Sequence, residues 1–257
     1  MKEKRFPFSA LRRTAGEVRR YRTYRRIIPI AIGVILALLS LLYVLSLLFG
    51  RQGSFTVRAQ DAADRRYALS LSEDENFLYA TSHLQAQEAR DITNIDGNTL
   101  PTNLNDVSGA HNGDNYVAYT FYVRNSGEEV CTYQWALYIN RRTAGIDAAA
   151  RVRLYLEPFF YRAESGEHIY SNAYTDYAKP KTGGGGAPEI DPTNRVMTNF
   201  ESEGVVASGK VSDFAPGDIT KVTVVIWLEG WDPDCNDNVL GGQLGLDMTF
   251  DTVGGDN

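Results

Sequence analysis

The chain has 257 residues, 43% of them hydrophobic, and a formal charge of −6, which suits one domain of about 200 residues beside a separate apolar segment. The charge is unevenly placed: residues 1–26 hold ten Lys/Arg against Glu3 and Glu17, a net +8, and the rest of the chain holds 16 basic and 30 acidic residues, a net −14. So acidic a main body has nothing to neutralise phosphates with, which excludes nucleic acid as a partner.

Residues 1–26 form an arginine-dense arm ending at Arg25-Arg26, interleaved with Phe6, Phe8, Tyr21 and Tyr24. Residues 27–49, IIPIAIGVILALLSLLYVLSLLF, follow without a charged side chain over 23 residues. At about 1.5 Å of helical rise per residue this covers a hydrocarbon core of about 30 Å. Cations before an apolar run keep the arm cytoplasmic and send the following domain, residues 50–257, outside. The run is longer than the roughly 7–15 residues of a cleavable signal core, and Leu48 stands where cleavage requires a small residue. The expectation is a single-pass signal-anchor in the cell membrane, with the lipid bilayer as its first partner.

Beyond the span, strand periodicity dominates. Phe55 and Val57 alternate with Thr56 and Arg58 in the stretch 54–60, and Leu69 and Leu71 alternate with Ser70 and Ser72. Residues 91–114 are a long excursion rich in Asn, Asp and Gly. Val117, Tyr119, Phe121 and Val123 then share one face of a strand, and Cys131, Tyr133, Trp135, Leu137 and Ile139 share one face of another. Asn125-Ser126-Gly127 between them predicts a hairpin. Further strands are expected at Val152–Leu156, at Lys221–Glu229 and at Leu244–Phe250; apolar residues on both faces of Lys221–Glu229 mark a central strand. About eight to ten short strands with Gly and Pro turns predict an all-β, jelly-roll-like β-sandwich.

Four groups of residues are candidates for chemistry or binding. Asp232, Asp234, Asn236 and Asn238 alternate oxygen ligands as a calcium loop does, although turns favour the same residue types and no bidentate Glu follows at Gln243. Cys131 and Cys235 allow one disulfide in an exported domain; the alternative is two separate thiols. Tyr155, Tyr161, Tyr170, Tyr174 and Tyr177, with Trp231, offer an aromatic platform for glycans or proteins, against the plain preference of sheets for Tyr. Phe55, Thr56, Val57 and Arg58 form a strand that could add to another copy or a partner by main-chain pairing. No catalytic motif is found: His83, His111 and His168 are scattered, Glu167-His168 has no second His, and Gly183–Gly186 lacks the Lys-Ser/Thr of a phosphate loop. No enzyme and no cofactor other than a structural calcium is expected.

The stretches 53–74, 115–129 and 214–242, closed by LGLDMTF, resemble a family of exported, membrane-anchored proteins of clostridia-like Gram-positive bacteria. The strand Tyr119-Thr120-Phe121-Tyr122-Val123-Arg124-Asn125 and the sandwich expectation resemble, more distantly, the TasA/camelysin biofilm-matrix proteins. The resemblance implies a non-enzymatic cell-surface or matrix protein for adhesion or assembly, partnered by copies of itself or other surface proteins. The alternative is a carbohydrate-binding surface module, and an extracellular enzyme is the third reading.

Overall fold

The computed structural model describes residues 28–43, 55–59, 65–181 and 183–253. The chain divides into two units, residues 1–51 and 52–257. In the first, residues 28–43 form the helix α1 with every side chain exposed. The basic arm 1–26 lies outside the described residues, as do both ends of the expected span 27–49. Among the described residues no helix is long and apolar enough to cross a membrane.

The second unit is built from β-strands. In chain order they are β1 (Thr56–Ala59), β2 (Leu69–Ser72), β3 (His83–Gln85), β4 (Gly109–Ala110), β5 (Tyr116–Asn125) and β6 (Cys131–Arg142). After the single turn α2 (Ile146–Ala149) come β7 (Ala150–Arg162), β8 (Glu167–His168), β9 (Tyr174–Ala178), β10 (Thr198–Asn199), β11 (Val205–Phe214), β12 (Ile219–Leu228) and β13 (Leu244–Val253). They form two sheets. Sheet A has the order β11-β6-β13-β1-β3, and sheet B the order β10-β9-β7-β12-β5-β2, with β4 beside β5 and β8 beside β7.

Alternation along the long strands explains how the sheets meet. Tyr119, Phe121 and Val123 of β5 and Val222 and Val224 of β12 face Tyr133, Trp135 and Leu137 of β6 and Leu246, Met248 and Phe250 of β13 in one core. Aromatic rings knit it together, with Tyr133 edge-on to Phe214 at 5.0 Å and Phe121 edge-on to Phe250 at 5.9 Å. The hydroxyl of buried Tyr133 is satisfied by Thr220 at 2.5 Å.

The expected hairpin at Asn125-Ser126-Gly127 does not form. β5 and β6 belong to opposite sheets, so this segment arches across the end of the sandwich. Both strands bury one face in the same core, and such a pattern reads alike for a hairpin and for an arch. Gly127 serves close approach: its amide donates to Ala68 O, and a Cβ there would collide with the carbonyl oxygen of Arg66.

Sheet B is covered on its outer face as well, which accounts for the two-sided apolar pattern of β12. Leu100 and Leu104, from the excursion 91–114, pack on Ala118, Tyr155, Val225 and Trp227 in a second cluster. Phe77 joins Tyr122, Phe160 and Ile219 in a third. The excursion is therefore a cover held by short turns such as Asp96, whose carboxylate accepts from Asn98 N.

Candidate functional site

The outer face of sheet A carries a shallow, polar cleft. The half of each strand that points away from the core supplies Gln134, Ala136 and Tyr138 from β6, Ser208 and Lys210 from β11, and Thr249 and Asp251 from β13. Together with Trp135 and Gly209 they line a cleft of about 450 Å³. Gly209 stands opposite Trp135 in the ladder, and a Cβ on it would sit 2.7 Å from the indole. The absent side chain lets the indole reach across to the edge strand on the core side, beneath the floor of the cleft. Among the described residues the heads of Gln134, Tyr138, Lys210 and Asp251 enter no hydrogen bond or ion pair within the chain. A planar amide, a carboxylate, an ammonium, the hydroxyl of Thr249 and a 39% exposed tyrosine ring are thus available to a ligand, while the Ser208 hydroxyl donates to Glu201 at 2.8 Å.

The expected assembly strand is placed differently. β1 lies inside sheet A, paired in parallel with β13 from Thr56↔Asp247 to Ala59↔Phe250 and antiparallel with β3 from Thr56↔Gln85 to Arg58↔His83. Phe55 and Val57 are buried in the core, Thr56 donates its hydroxyl hydrogen to Asp247, and Arg58 is exposed. With both sides occupied, the strand has no main-chain groups left at Thr56–Arg58 for a partner. The outer strands are short or capped. Glu201 accepts from Ser208 N at 2.7 Å on the outer side of β11, and bulges interrupt both ends of that strand, with Asp213 at φ 57°. β3 has three residues, β10 has two, and Leu71 of β2 exchanges two backbone bonds with Thr81.

The loop proposed for calcium spends its oxygens on the chain itself. Asp232 is 3% exposed; one carboxylate oxygen pairs with buried Arg151 and the other accepts from Asp234 N at 2.8 Å. Asn236 accepts from Asn238 N at 3.0 Å and caps the turn Asp237–Val239, while the Asn238 side chain is exposed. These residues form consecutive Asx turns anchored by one buried ion pair, which fits the alternation of Asp and Asn without a metal. Among the described residues no group of three or more His, Cys, Asp or Glu side chains is placed to hold one.

The cysteines are both free. Cys131 opens β6 beside Phe214, at the end of the sandwich where β12 begins, while Cys235 packs with Val239 against Leu228, at the end where β12 finishes. The length of β12, roughly 30 Å at 3.3 Å per residue, separates them, far beyond the few ångströms a disulfide spans. Burial pushes the Cys131 thiol up to about 11, so it is protonated and shielded at neutral pH. Alkylation of the native protein is expected to label Cys235 alone, with Cys131 reacting after denaturation; a pair that stays unlabelled in denaturant until a reductant is added would contradict this arrangement.

The tyrosines do not form one platform. Tyr155 is buried under the excursion, Tyr161 packs on the Phe77 cluster and Tyr177 on the central core, leaving Tyr170 and Tyr174 exposed. Arg153 stacks on Tyr174 with 3.9 Å to the ring centre, and pairs with Asp176 through two hydrogen bonds of 2.7 and 3.0 Å. Trp231 is half-buried with Arg151 5.4 Å from its ring. His111 has both ring nitrogens against the carbonyl oxygens of Gly109 and Leu104, a structural role.

Sequence reasoning missed the cleft because it followed the apolar faces. Its residues are the polar halves of strands that were expected, joined by β11, whose Ser-Gly-Lys-rich sequence carries only a faint alternation. No protein-family model, no curated protein and no solved structure matches the chain.

Proposed function

We propose that this is a non-enzymatic surface protein whose jelly-roll-like sandwich binds a polyhydroxylated, glycan-type ligand in the cleft on sheet A. The observation that carries the reading is the set of uncommitted polar heads around an exposed tyrosine. Hydroxyl groups of a sugar can both donate and accept, matching Gln134, Lys210, Thr249 and Asp251, and its C–H face packs on the ring of Tyr138. The capped outer strands favour recognition by side chains over assembly by strand addition. The apolar segment 27–49 and the charge contrast across it support a tether to the cell membrane with the arm inside and the sandwich outside. The resemblance to exported Gram-positive surface proteins points the same way.

Glycan-array binding by the full chain tests the cleft. Tyr138→Ala and Asp251→Asn are each expected to weaken binding roughly tenfold or more, about 1.4 kcal/mol, with Tyr170→Ala unchanged. Retained affinity in both cleft variants would remove sheet A from the reading. Fractionation of cells expressing the chain tests the tether: carbonate-resistant association with membranes is expected.

A further inference from the structure

The covered face of sheet B holds three reactive side chains that the cleft does not use. Lys221 of β12 is 7% exposed and stands in register with Glu157 of β7 on one side and Tyr122 of β5 on the other. Among the described residues its ammonium makes no hydrogen bond or ion pair; its contact is the ring of Phe160, 5.3 Å from the centroid. A cation so placed retains much of its desolvation cost, which conversion to a neutral amide would remove.

Asn105 is bonded to two neighbours of this position, Glu157 and Thr223. It is 2% exposed, in the turn Leu104–Asp106 that packs on β12. Its Nδ2 donates to Glu157 Oε1 at 2.6 Å, and its Oδ1 accepts from the hydroxyl of Thr223 at 2.8 Å. Thr223 is two residues from Lys221 and therefore on the same face of the strand. The Asn105 carbonyl is thus polarised by a donor, and its amide nitrogen, the potential leaving group, already touches a carboxyl. The second carboxyl oxygen, Oε2, is buried without a hydrogen-bond partner. Burial also raises the pKa of Glu157, which eases its holding a proton.

We propose that Lys221 and Asn105 join in an intramolecular isopeptide bond, Nζ to Cγ, with Glu157 as the proton shuttle. Glu157 takes a proton from the Lys221 ammonium, and the Nζ lone pair attacks Cγ while Thr223 stabilises the oxygen. As the Cγ–Nδ2 bond breaks, its electron pair goes to Nδ2, which receives a proton from the attacking nitrogen by way of Glu157. Ammonia forms and departs as ammonium with the proton first taken from Lys221, restoring the carboxylate. One amide is exchanged for another, and no oxidant or cofactor is consumed. The product staples the excursion 91–114 to the central strand of sheet B, through two residues 116 positions apart in sequence.

Peptide mapping of the purified full chain by mass spectrometry decides the matter. The expected result is a branched peptide joining the segment that contains Asn105 to the one that contains Lys221, lighter than their sum by one ammonia. Glu157→Gln, which keeps the shape and an acceptor for Asn105 but cannot shuttle the proton, is expected to give two linear peptides and to migrate more slowly on a denaturing gel. Lys221→Arg gives the same loss should Glu157→Gln fail to fold. Folded wild-type protein yielding both linear peptides, with Lys221 and Asn105 intact or Asn105 merely deamidated, would overturn the proposal.

Discussion

Asp232→Ala is expected to lower the free energy of unfolding by about 3–5 kcal/mol, because it strands a charge that has no route to water. Arg151 is wholly buried and the Asp232 side chain is 1% exposed. Two guanidinium bonds go to the carbonyl oxygens of Ala148 and Ala150, at 3.0 and 3.1 Å, and the carboxylate supplies the compensating charge. Removing the carboxylate leaves Arg151 hydrogen-bonded only to neutral carbonyl acceptors, with the carboxyls of Glu189 and Glu229 acting on it from farther away. Replacing both partners together, Arg151→Met with Asp232→Leu, should recover much of the loss, since a packed apolar pair avoids both desolvation terms. Asn238→Ala, six residues on in the same calcium-like pattern but exposed, should change stability by no more than about 0.5 kcal/mol. Urea denaturation of the three variants distinguishes an ion-pair anchor from a metal loop: equal losses at Asp232 and Asn238, both rescued by added calcium, would restore the metal reading.

The second large effect is expected at Trp227. Its side chain is fully buried in the cluster beneath the excursion 91–114, and its indole N–H donates to Glu229 at 2.9 Å. Trp227→Ala should cost about 3–5 kcal/mol from lost burial and the cavity left behind. It also leaves the carboxyl of Glu229, which is 0% exposed, hydrogen-bonded to Gly97 N alone, at 3.2 Å. Burial already pushes that carboxyl's pKa up, and loss of the indole donor pushes it further. Trp227→Phe, retaining most of the apolar surface, should be milder. Protease sensitivity within residues 91–114 is the local readout: faster cleavage there in Trp227→Ala than in the wild type is expected, and equal rates would show that the cover is held elsewhere.

The strands were legible where one residue in two is apolar. β5, β6, β12 and β13 fall where alternation places them, and β12 is central because both of its faces are apolar. What alternation cannot express is partnership. β5 and β6 follow one another across a turn, yet each pairs elsewhere, and β1 pairs with the last strand of the chain. The excursion 91–114 reads as a loop because its Asn, Asp and Gly make turns, while its two anchors, Leu100 and Leu104, are too few to show a period. The buried charges were equally hidden: Arg151, Arg153 and Glu157 alternate outward on β7 as a solvent face would, and only the cover above them makes that face an interior. The cleft residues of β6 and β13 read as the polar halves of their strands, whereas β11 is not legible as a strand, and the convergence depends on the order β11-β6-β13, which no local pattern specifies.

The pairing of β1 with β13 also sets how the sandwich would carry mechanical load. The first strand runs parallel to the last and is gripped on its other side by β3, so its ladder bonds lie across the strand axis. Tension entering along β1 from residue 55 would load the register pairs Thr56↔Asp247 through Ala59↔Phe250 together, in shear, instead of opening them one after another as peeling does. The same tension passes directly into β13, whose Thr249 and Asp251 line the cleft, so load on the first strand reaches the cleft through one continuous sheet.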